Sequence, residues 1–353
     1  MNVTFLIGNG FDLNLGLKTS YKDFIKFYKQ TEGKTNILRK FRKDIQDEEE
    51  LWSNAEIALG KYTEFFGEGD GRAFSECQQD MCEYIACYLK SQEAKLNLED
   101  FAENILSSFK NITTPENPFP AQERNIIRDL FNTYRNKNFH FNFICFNYTS
   151  TLDKCLNIVK SSAKILGNHR NGNILHSHLI SDLCYVHGTL EKNMVFGVND
   201  ETQIAKPDIF KFKNGKICKQ FLIKKQANDS YQENTDNIAH AILQKSNIIY
   251  IYGMSLGQTD KLWWDRICDW IKDDSKRHLI IHNHTMPQKG AFPLDYTIAE
   301  NEKKEDVLSF CDFNDEVKTT LLDQIHITNH NIFEKIKGIA NENLTITKEE
   351  EKI

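Results

Sequence analysis

The feature that most constrains this chain lies at its amino terminus. Asn2-Val3-Thr4-Phe5-Leu6-Ile7 runs directly into Gly8-Asn9-Gly10-Phe11-Asp12, and Gly16 follows close behind. A short segment of β-branched and large apolar residues ended by glycine predicts a buried strand that turns tightly into a helix. Turns of this kind hold phosphates, because glycine accepts positive φ and lets backbone N–H groups approach an anion with no Cβ in the way. The turn reads Gly8-x-Gly10-x-x-Leu13, however, and so lacks the third glycine of the dinucleotide fingerprint. No acidic residue closes a second strand either, since Lys22 to Lys34 is helical in pattern and mixed in charge. Ordinary hydride-transferring dehydrogenase chemistry is thereby disfavoured. Two readings stay open, a nucleotide site and a strand-to-helix turn with no ligand.

Further along, the pattern predicts a helix over Tyr21 to Tyr28 and then a long helical region from about residue 36 to 137. Leu51, Trp52, Ala55, Ile57 and Ala58, and later Phe101, Ile105 and Phe109, recur at helical spacing, and the proline-rich Thr114 to Pro120 breaks the run. Short apolar segments come next: His140 to Phe146, Leu183 to Val186, Asn247 to Tyr252 and Leu279 to His282. These read as buried parallel strands. Thr259 or Asp260 is placed to cap a crossover helix bearing Leu262, Trp263, Ile267 and Trp270 between the last two. A further strand is predicted over Gln324 to Ile327, an amphipathic helix through Ile332, Ile336 and Ile339, and a solvated end over Lys348 to Lys352. The fold expected is α/β, a Rossmann-like, doubly wound and mostly parallel sheet with a large helical insertion. Residues 1–35 and 138–330 form the sheet domain, 36–137 the insertion, and 331–353 a terminal helix and tail.

Composition narrows the function. The 353 residues are 40% hydrophobic and 27% charged, with a formal net charge of −6, which argues against broad attraction to nucleic acid or an anionic membrane. Arg39, Lys40, Arg42 and Lys43 cluster, but the acidic run from Asp44 to Glu50 follows at once, and the alternation reads as a solvated helical face. No apolar run approaches the roughly 20 residues that span a bilayer. Nine cysteines without a Cys-x-x-Cys pair, and no basic-then-apolar leader, fit a reducing cytoplasm. Trp52, Tyr62, Phe65 and Phe66 can serve a core or an oligomer interface.

In open α/β sheets ligands bind beyond the carboxyl ends of strands, near the point where strand order reverses. Here those ends carry Asn9, Asn147-Tyr148-Thr149, His187-Gly188 and Gly253-Met254-Ser255-Leu256. With Gly8-Asn9-Gly10-Phe11-Asp12 and Gly16, Phe146-Asn147-Tyr148, Val186-His187-Gly188 and Gly253-x-Ser255-Leu256, the chain resembles the abortive-infection AbiH family of bacterial phage-defence proteins over most of its length. The same blocks, in the same order, are similar to those of sirtuin-like NAD-consuming proteins. That resemblance implies an NAD site in which Gly8, Asn9, Gly10, Phe11, Asp12, Tyr148, Gly188, Gly253 and Ser255 bind the cofactor. It sets Gly8 and Gly10 against the phosphates, and Gly253 and Ser255 near the adenine-side ribose or phosphates. Asn147 and His187 then carry the chemistry. Breaking the bond between ribose and nicotinamide passes through an oxocarbenium-like state, for which an Asn amide can orient water and a His can accept a proton. No four-cysteine zinc module is present, so hydrolysis of free NAD to nicotinamide and ADP-ribose is the expected activity, without a metal. The partners expected are NAD or a related nucleotide, and a second copy or another defence protein.

Each residue also has a purely structural role open to it. His187 can hydrogen-bond a neighbouring loop, Asn147 can cap a helix starting near Ser150, and Ser255 can cap a turn before Gly257. Asp12 can hold a ribose hydroxyl or a helix amide. A second enzymatic reading, a metal-dependent phosphoesterase or nuclease, uses His169, His176, His178 and His187, or His282 and His284, with Asp182, Asp260 or Asp265. Against it, Asn168 to Asn173 reads as a polar loop. A third reading is a sensor that binds NAD or ADP-ribose without turnover.

Overall fold

The computed structural model describes residues 1–340, apart from 213, 231–233, 256, 258–260 and 288–292. Seven strands form one sheet: β1 (Asn2–Ile7), β2 (Phe139–Cys145), β3 (Gly167–Asn171), β4 (Ile174–Tyr185), β5 (Ile248–Tyr252), β6 (His278–His282) and β7 (Ile325–Thr328). Their order is β3-β4-β2-β1-β5-β6-β7. Every neighbouring pair is parallel except the β3–β4 hairpin. From the central β1 the chain builds outward through β2 and β4, then crosses back to build the other side through β5, β6 and β7. The order therefore reverses between β1 and β5.

The helices are α1 (Gly10–Asn14), α2 (Tyr21–Tyr28), α3 (Asn36–Asp47), α4 (Ala55–Tyr62), α5 (Gly71–Glu93), α6 (Ala102–Asn111) and α7 (Ala121–Thr133) before β2. After it come α8 (Thr151–Ser162), α9 (Lys224–Ser230), α10 (Thr235–Gln244), α11 (Lys261–Asp273), α12 (Pro293–Ser309) and α13 (Asp315–Leu321). Strand side chains alternate between faces. Val3, Phe5 and Ile7 share one core with Phe141 and Phe143 of β2, Ile105 and Phe109 of α6, Ile127 of α7 and Leu156 of α8. On the opposite face Leu6, Ile144, Ile249 and Ile251 pack with Leu243 of α10, Trp264 and Ile267 of α11, Val307 of α12 and Leu321 of α13. Burial on both faces explains why these strands read as continuous apolar runs.

A second body has its own core. Phe24, Tyr28, Phe41, Trp52, Leu59, Phe74 and Ile85 from α2 to α5 pack with Phe196, Val198, Phe210 and Leu222 from the segment before α9. Inside this helical unit, Asp80 accepts hydrogen bonds from Tyr28 Oη at 2.6 Å and Arg42 Nη2 at 2.7 Å. The Arg42 guanidinium also lies 4.6 Å from the ring centres of both Tyr28 and Tyr84. The basic cluster is thus not wholly a solvated face: Arg42 is buried as the charged centre of the unit.

The structure divides the chain differently from the sequence pattern. Helices α6 and α7, assigned to the insertion, pack on the sheet, whereas α2 and the 194–223 segment, assigned to the sheet domain, belong to the helical unit. Asn168 to Asn171 is strand, not loop, and β4 extends well upstream of Leu183. Among the described residues beyond β7 there is only one short helical turn, Glu334–Ile336, in place of the amphipathic helix. Ile332, Ile336 and Ile339 nonetheless enter the core, and Gly338 and Ala340 N–H groups donate to Asn14 and Leu15 carbonyls. Cys268 and Cys311 form a disulfide between α11 and the end of α12, against the expectation of reduced thiols. Thr259, Asp260 and Lys348 to Lys352 lie outside the described residues. No described helix is long and apolar enough to cross a membrane.

Candidate functional site

Strand register lines up the residues that matter. Ile7 pairs with both Cys145 and Tyr252, and Cys145 pairs with Tyr185. Two residues beyond this aligned row stand Asn9, Asn147, His187 and Met254. Together with the helical unit and the end of β6 they enclose a cavity of about 630 Å³. Its lining includes Gly8, Asn9, Gly10, Asp12, Asn147, Tyr148, His187, Gly253 and Ser255. Two residues expected there are elsewhere. The Phe11 ring is fully buried beneath the turn, edge-on to Phe333 at 5.1 Å. Gly188 shapes the turn after β4 instead, with φ +71° and space only for hydrogen, since a Cβ would meet Asn193 O at 2.1 Å.

The glycines of the first turn serve a packing purpose that the sequence did not announce. A Cβ on Gly10 would lie 2.4 Å from Gly253 Cα, and one on Gly8 would lie 2.6 Å from Gly253 O. The turn rests directly on the end of β5. Gly8 N–H donates to Tyr252 O and Gly10 N–H to Gly253 O, each at 2.9 Å. The expectation that these two amides face a phosphate is therefore not met in this structure, because β5 has taken them. Asn9 is held by Thr19, which donates to Asn9 Oδ1 at 2.6 Å and accepts from Nδ2 at 3.1 Å.

Asp12 is fully enclosed and ties α1 to the connection after β2, accepting from Thr149 Oγ1 at 2.5 Å and from Thr151 Oγ1. Within the protein its side-chain partners are these hydroxyls and not a helix amide. Burial pushes its carboxyl up to about 6, opposed by the two threonine hydroxyls, while the nearby Glu93 charge raises it further and Asn147 lowers it. Glu93 itself binds Ser150 N–H at the start of α8 and Lys154 at 2.6 Å. Asn147 therefore does not cap α8.

Asn147 and His187 are 7% and 6% exposed, and each has a buried nitrogen, Nδ2 and Nδ1 respectively, without a hydrogen-bond partner. Asn147 is near enough to Asp12 to favour the ionised carboxyl without forming a bond of ordinary length. Burial drives the His187 imidazole well below its usual range, helped by the Lys224 charge, so it is neutral at pH 7. Phe146 stands edge-on to it at 5.9 Å.

The helical unit supplies the wall that sequence reasoning missed. Glu56, in the first turn of α4, accepts from Tyr21 Oη at 2.7 Å and Tyr148 Oη at 3.0 Å, and pairs with Lys224 Nζ at 2.6 Å. Glu56 and Lys224 are both buried. Tyr21 and Tyr148 are held well above the usual phenol range by burial and the Glu56 charge, and remain donors. Four separate segments meet here, and no motif connects them. The nearest signal is the pair of helix caps, Ser20 before α2 and Asn54 before α4, which fix where Tyr21 and Glu56 begin their helices.

The end of β6 forms the opposite wall through His282, Asn283, His284 and Thr285, with Lys303 of α12. His282 stacks on Tyr252 at 4.6 Å, and burial lowers it to about 4. Of the histidines proposed as a metal cluster, His169, His176 and His178 stay together, with His169 stacked on His176 at 5.3 Å, but apart from His187, His282 and His284. His169 and His178 share a hydrogen bond of 3.0 Å and stack with Phe139, where β2 begins, at the sheet end opposite His187. Asp265 pairs with Lys261 on the outside of α11. Among the described residues no three His, Cys, Asp or Glu side chains gather as a metal site.

A mostly parallel α/β sheet whose central strand ends line a cavity, roofed by a helical unit, defines the class of protein. The chain belongs to a family described as "Bacteriophage abortive infection AbiH", whose model matches residues 4–282 and so runs from within β1 to the end of β6 and covers every residue expected to bind or cleave NAD. That membership points to a role in abortive-infection defence against phage. No curated protein and no solved structure matches the chain.

Proposed function

We propose that the protein acts in abortive infection by hydrolysing NAD to nicotinamide and ADP-ribose. The observation that carries this reading is the pairing of Asn147 and His187, two buried polar side chains with unpartnered nitrogens on adjacent strand ends of one cavity. Strand order supports it too. Without the antiparallel β3 the order is β4-β2-β1-β5-β6-β7, the third-second-first-fourth-fifth-sixth order in which open sheets bind dinucleotides at the reversal point.

In this reading the ribose bearing nicotinamide lies against Asn147 and His187, and the remainder of the dinucleotide extends past the first turn toward Gly253, Ser255 and the end of β6. The bond between ribose C1′ and the pyridinium nitrogen breaks, its electron pair neutralising the ring, so nicotinamide leaves without needing an acid. Water adds to C1′ and loses its proton to the neutral imidazole of His187, which then releases it to solvent. Asn147 orients the water, and the Asp12 carboxylate favours the positive charge that develops on the ribose.

The test is chromatography of nicotinamide and ADP-ribose from NAD incubated with wild type, Asn147→Ala and His187→Ala, alongside calorimetric NAD binding. Wild type is expected to release both products, and each variant to lose about 10²-fold or more in rate while still binding NAD. Binding without release by wild type would replace hydrolysis with sensing. Absence of both would overturn the nucleotide reading.

A further inference from the structure

The buried Glu56–Lys224 pair is unusual in where it sits. Glu56 belongs to the helical unit, Lys224 opens α9, and Tyr148 leaves β2, so three parts of the molecule meet in one charged contact on the cavity wall. Burying two charges is costly, and such a pair is weak evidence for stability; apolar residues of similar size would often serve the fold as well. A role at the cavity explains why charge is kept.

His187 is the neighbour on which that charge acts. The charged and titratable groups that share a cavity wall with it are Lys224 and Lys225 on α9, Tyr148 after β2 and Asp236 on α10, and in the larger cavity Asp12, Tyr21, Glu56, His282, His284 and Lys303. Asp236 is engaged by Arg266 at 2.7 Å, Tyr148 donates to Glu56 and Val195 O, and Asp12 is held by Thr149 and Thr151. Burial is the main cause of the depressed imidazole, and the Lys224 charge, on the same cavity wall, adds to it. Lys224 and His187 also share the wall of a small second cavity with Asn199 and Asn228.

We propose that Lys224, fixed by Glu56, Tyr21 and Tyr148, is a positioning residue for His187, so that docking of the helical unit completes the reactive centre. Lys224 lines the cavity itself and is paired there with the carboxylate that the helical unit provides. With the pair in place, a positive charge on the imidazole is opposed, and His187 rests in the neutral form. This rests on the reading of His187 as the base, but its test does not require NAD.

The experiment is NMR titration of histidine-labelled full-length protein, with the His187 resonance assigned by its loss in His187→Gln. In wild type His187 is expected to remain neutral to well below pH 6.5. In Glu56→Gln/Lys224→Met both charges leave together and the tyrosines keep an acceptor; the His187 midpoint is expected to rise by about one pH unit. Lys224→Arg, which keeps the charge, is expected to titrate as wild type does. If the double variant fails to fold, Glu56→Gln/Lys224→Gln gives the same reading with an amide contact in place of the ion pair. An unchanged midpoint in a folded double variant would overturn the proposal. A raised midpoint in a protein that never cleaves NAD would leave it standing and remove the hydrolase reading alone.

Discussion

Asp12 shows how one side chain in this cavity is set by what encloses it. Its carboxyl is raised to about 6, so the folded state holds the proton more tightly than the unfolded chain, whose value is near 4. Below pH 4 the buried charge costs nothing, and the penalty builds as pH climbs through 6, reaching about 3 kcal/mol. Asp12→Asn has no such charge to bury. Between pH 4 and pH 7 wild type is therefore expected to lose about 3 kcal/mol more unfolding free energy than the variant in urea titrations. Parallel curves for the two proteins would show that the carboxylate is better solvated than its enclosure implies. Residue identities at the cavity were readable from the sequence where they follow a strand: Asn9, Asn147, His187 and Gly253 all do. Glu56 and Lys224 were not, because a helical first turn and a segment beyond a loop carry no local mark of meeting. Phe11 was misplaced because an apolar residue in a ligand motif and one in a core look alike in one dimension.

At the scale of elements, the decisive contact is the turn between β1 and α1 resting on the end of β5. Gly253 has φ +71°, and a Cβ there would meet Gly10 Cα at 2.6 Å and Gly10 N at 2.8 Å. Gly253→Ala is expected to destabilise the protein by about 1–3 kcal/mol, combining left-handed strain with displacement of the turn, as read by thermal or urea unfolding. A neutral substitution would mean that the two elements separate easily. The glycines were legible as a turn, but their reason was not. Spacing suggests an anion cradle, whereas the structure uses the missing Cβ atoms to seat one strand end on another. The strands of the parallel sheet were legible for a simpler reason: β1, β5 and β6 are buried on both faces, and each carries an unbroken run, Phe5 to Ile7, Ile248 to Tyr252 and Leu279 to Ile281, of apolar and aromatic residues. β3 lies at the sheet edge and is polar along its length, which is why Asn168 to Asn171 read as loop.

Across the whole molecule, two bodies, the sheet with its helices and the helical unit, meet at one cavity. The sheet supplies aligned strand ends, and the helical unit supplies Tyr21, Asn54 and Glu56 as the facing wall. The α/β class and the presence of a large helical body could be read from the sequence, since each follows from local periodicity. The boundary could not. Helices α6 and α7 have the same spacing as α3 to α5, and only their packing partners assign them to the sheet. Membership of the AbiH family accounts for the defence role, and the cavity between the two bodies is where that role is expected to be executed. The most direct measurement is a crystal structure of the His187→Ala protein grown with NAD. The account predicts intact NAD in the cavity, with the nicotinamide-bearing ribose beside Asn147 and position 187, and the adenosine half toward Ser255 and the end of β6. A cavity without ligand at saturating NAD, or NAD bound away from Asn147, would contradict it.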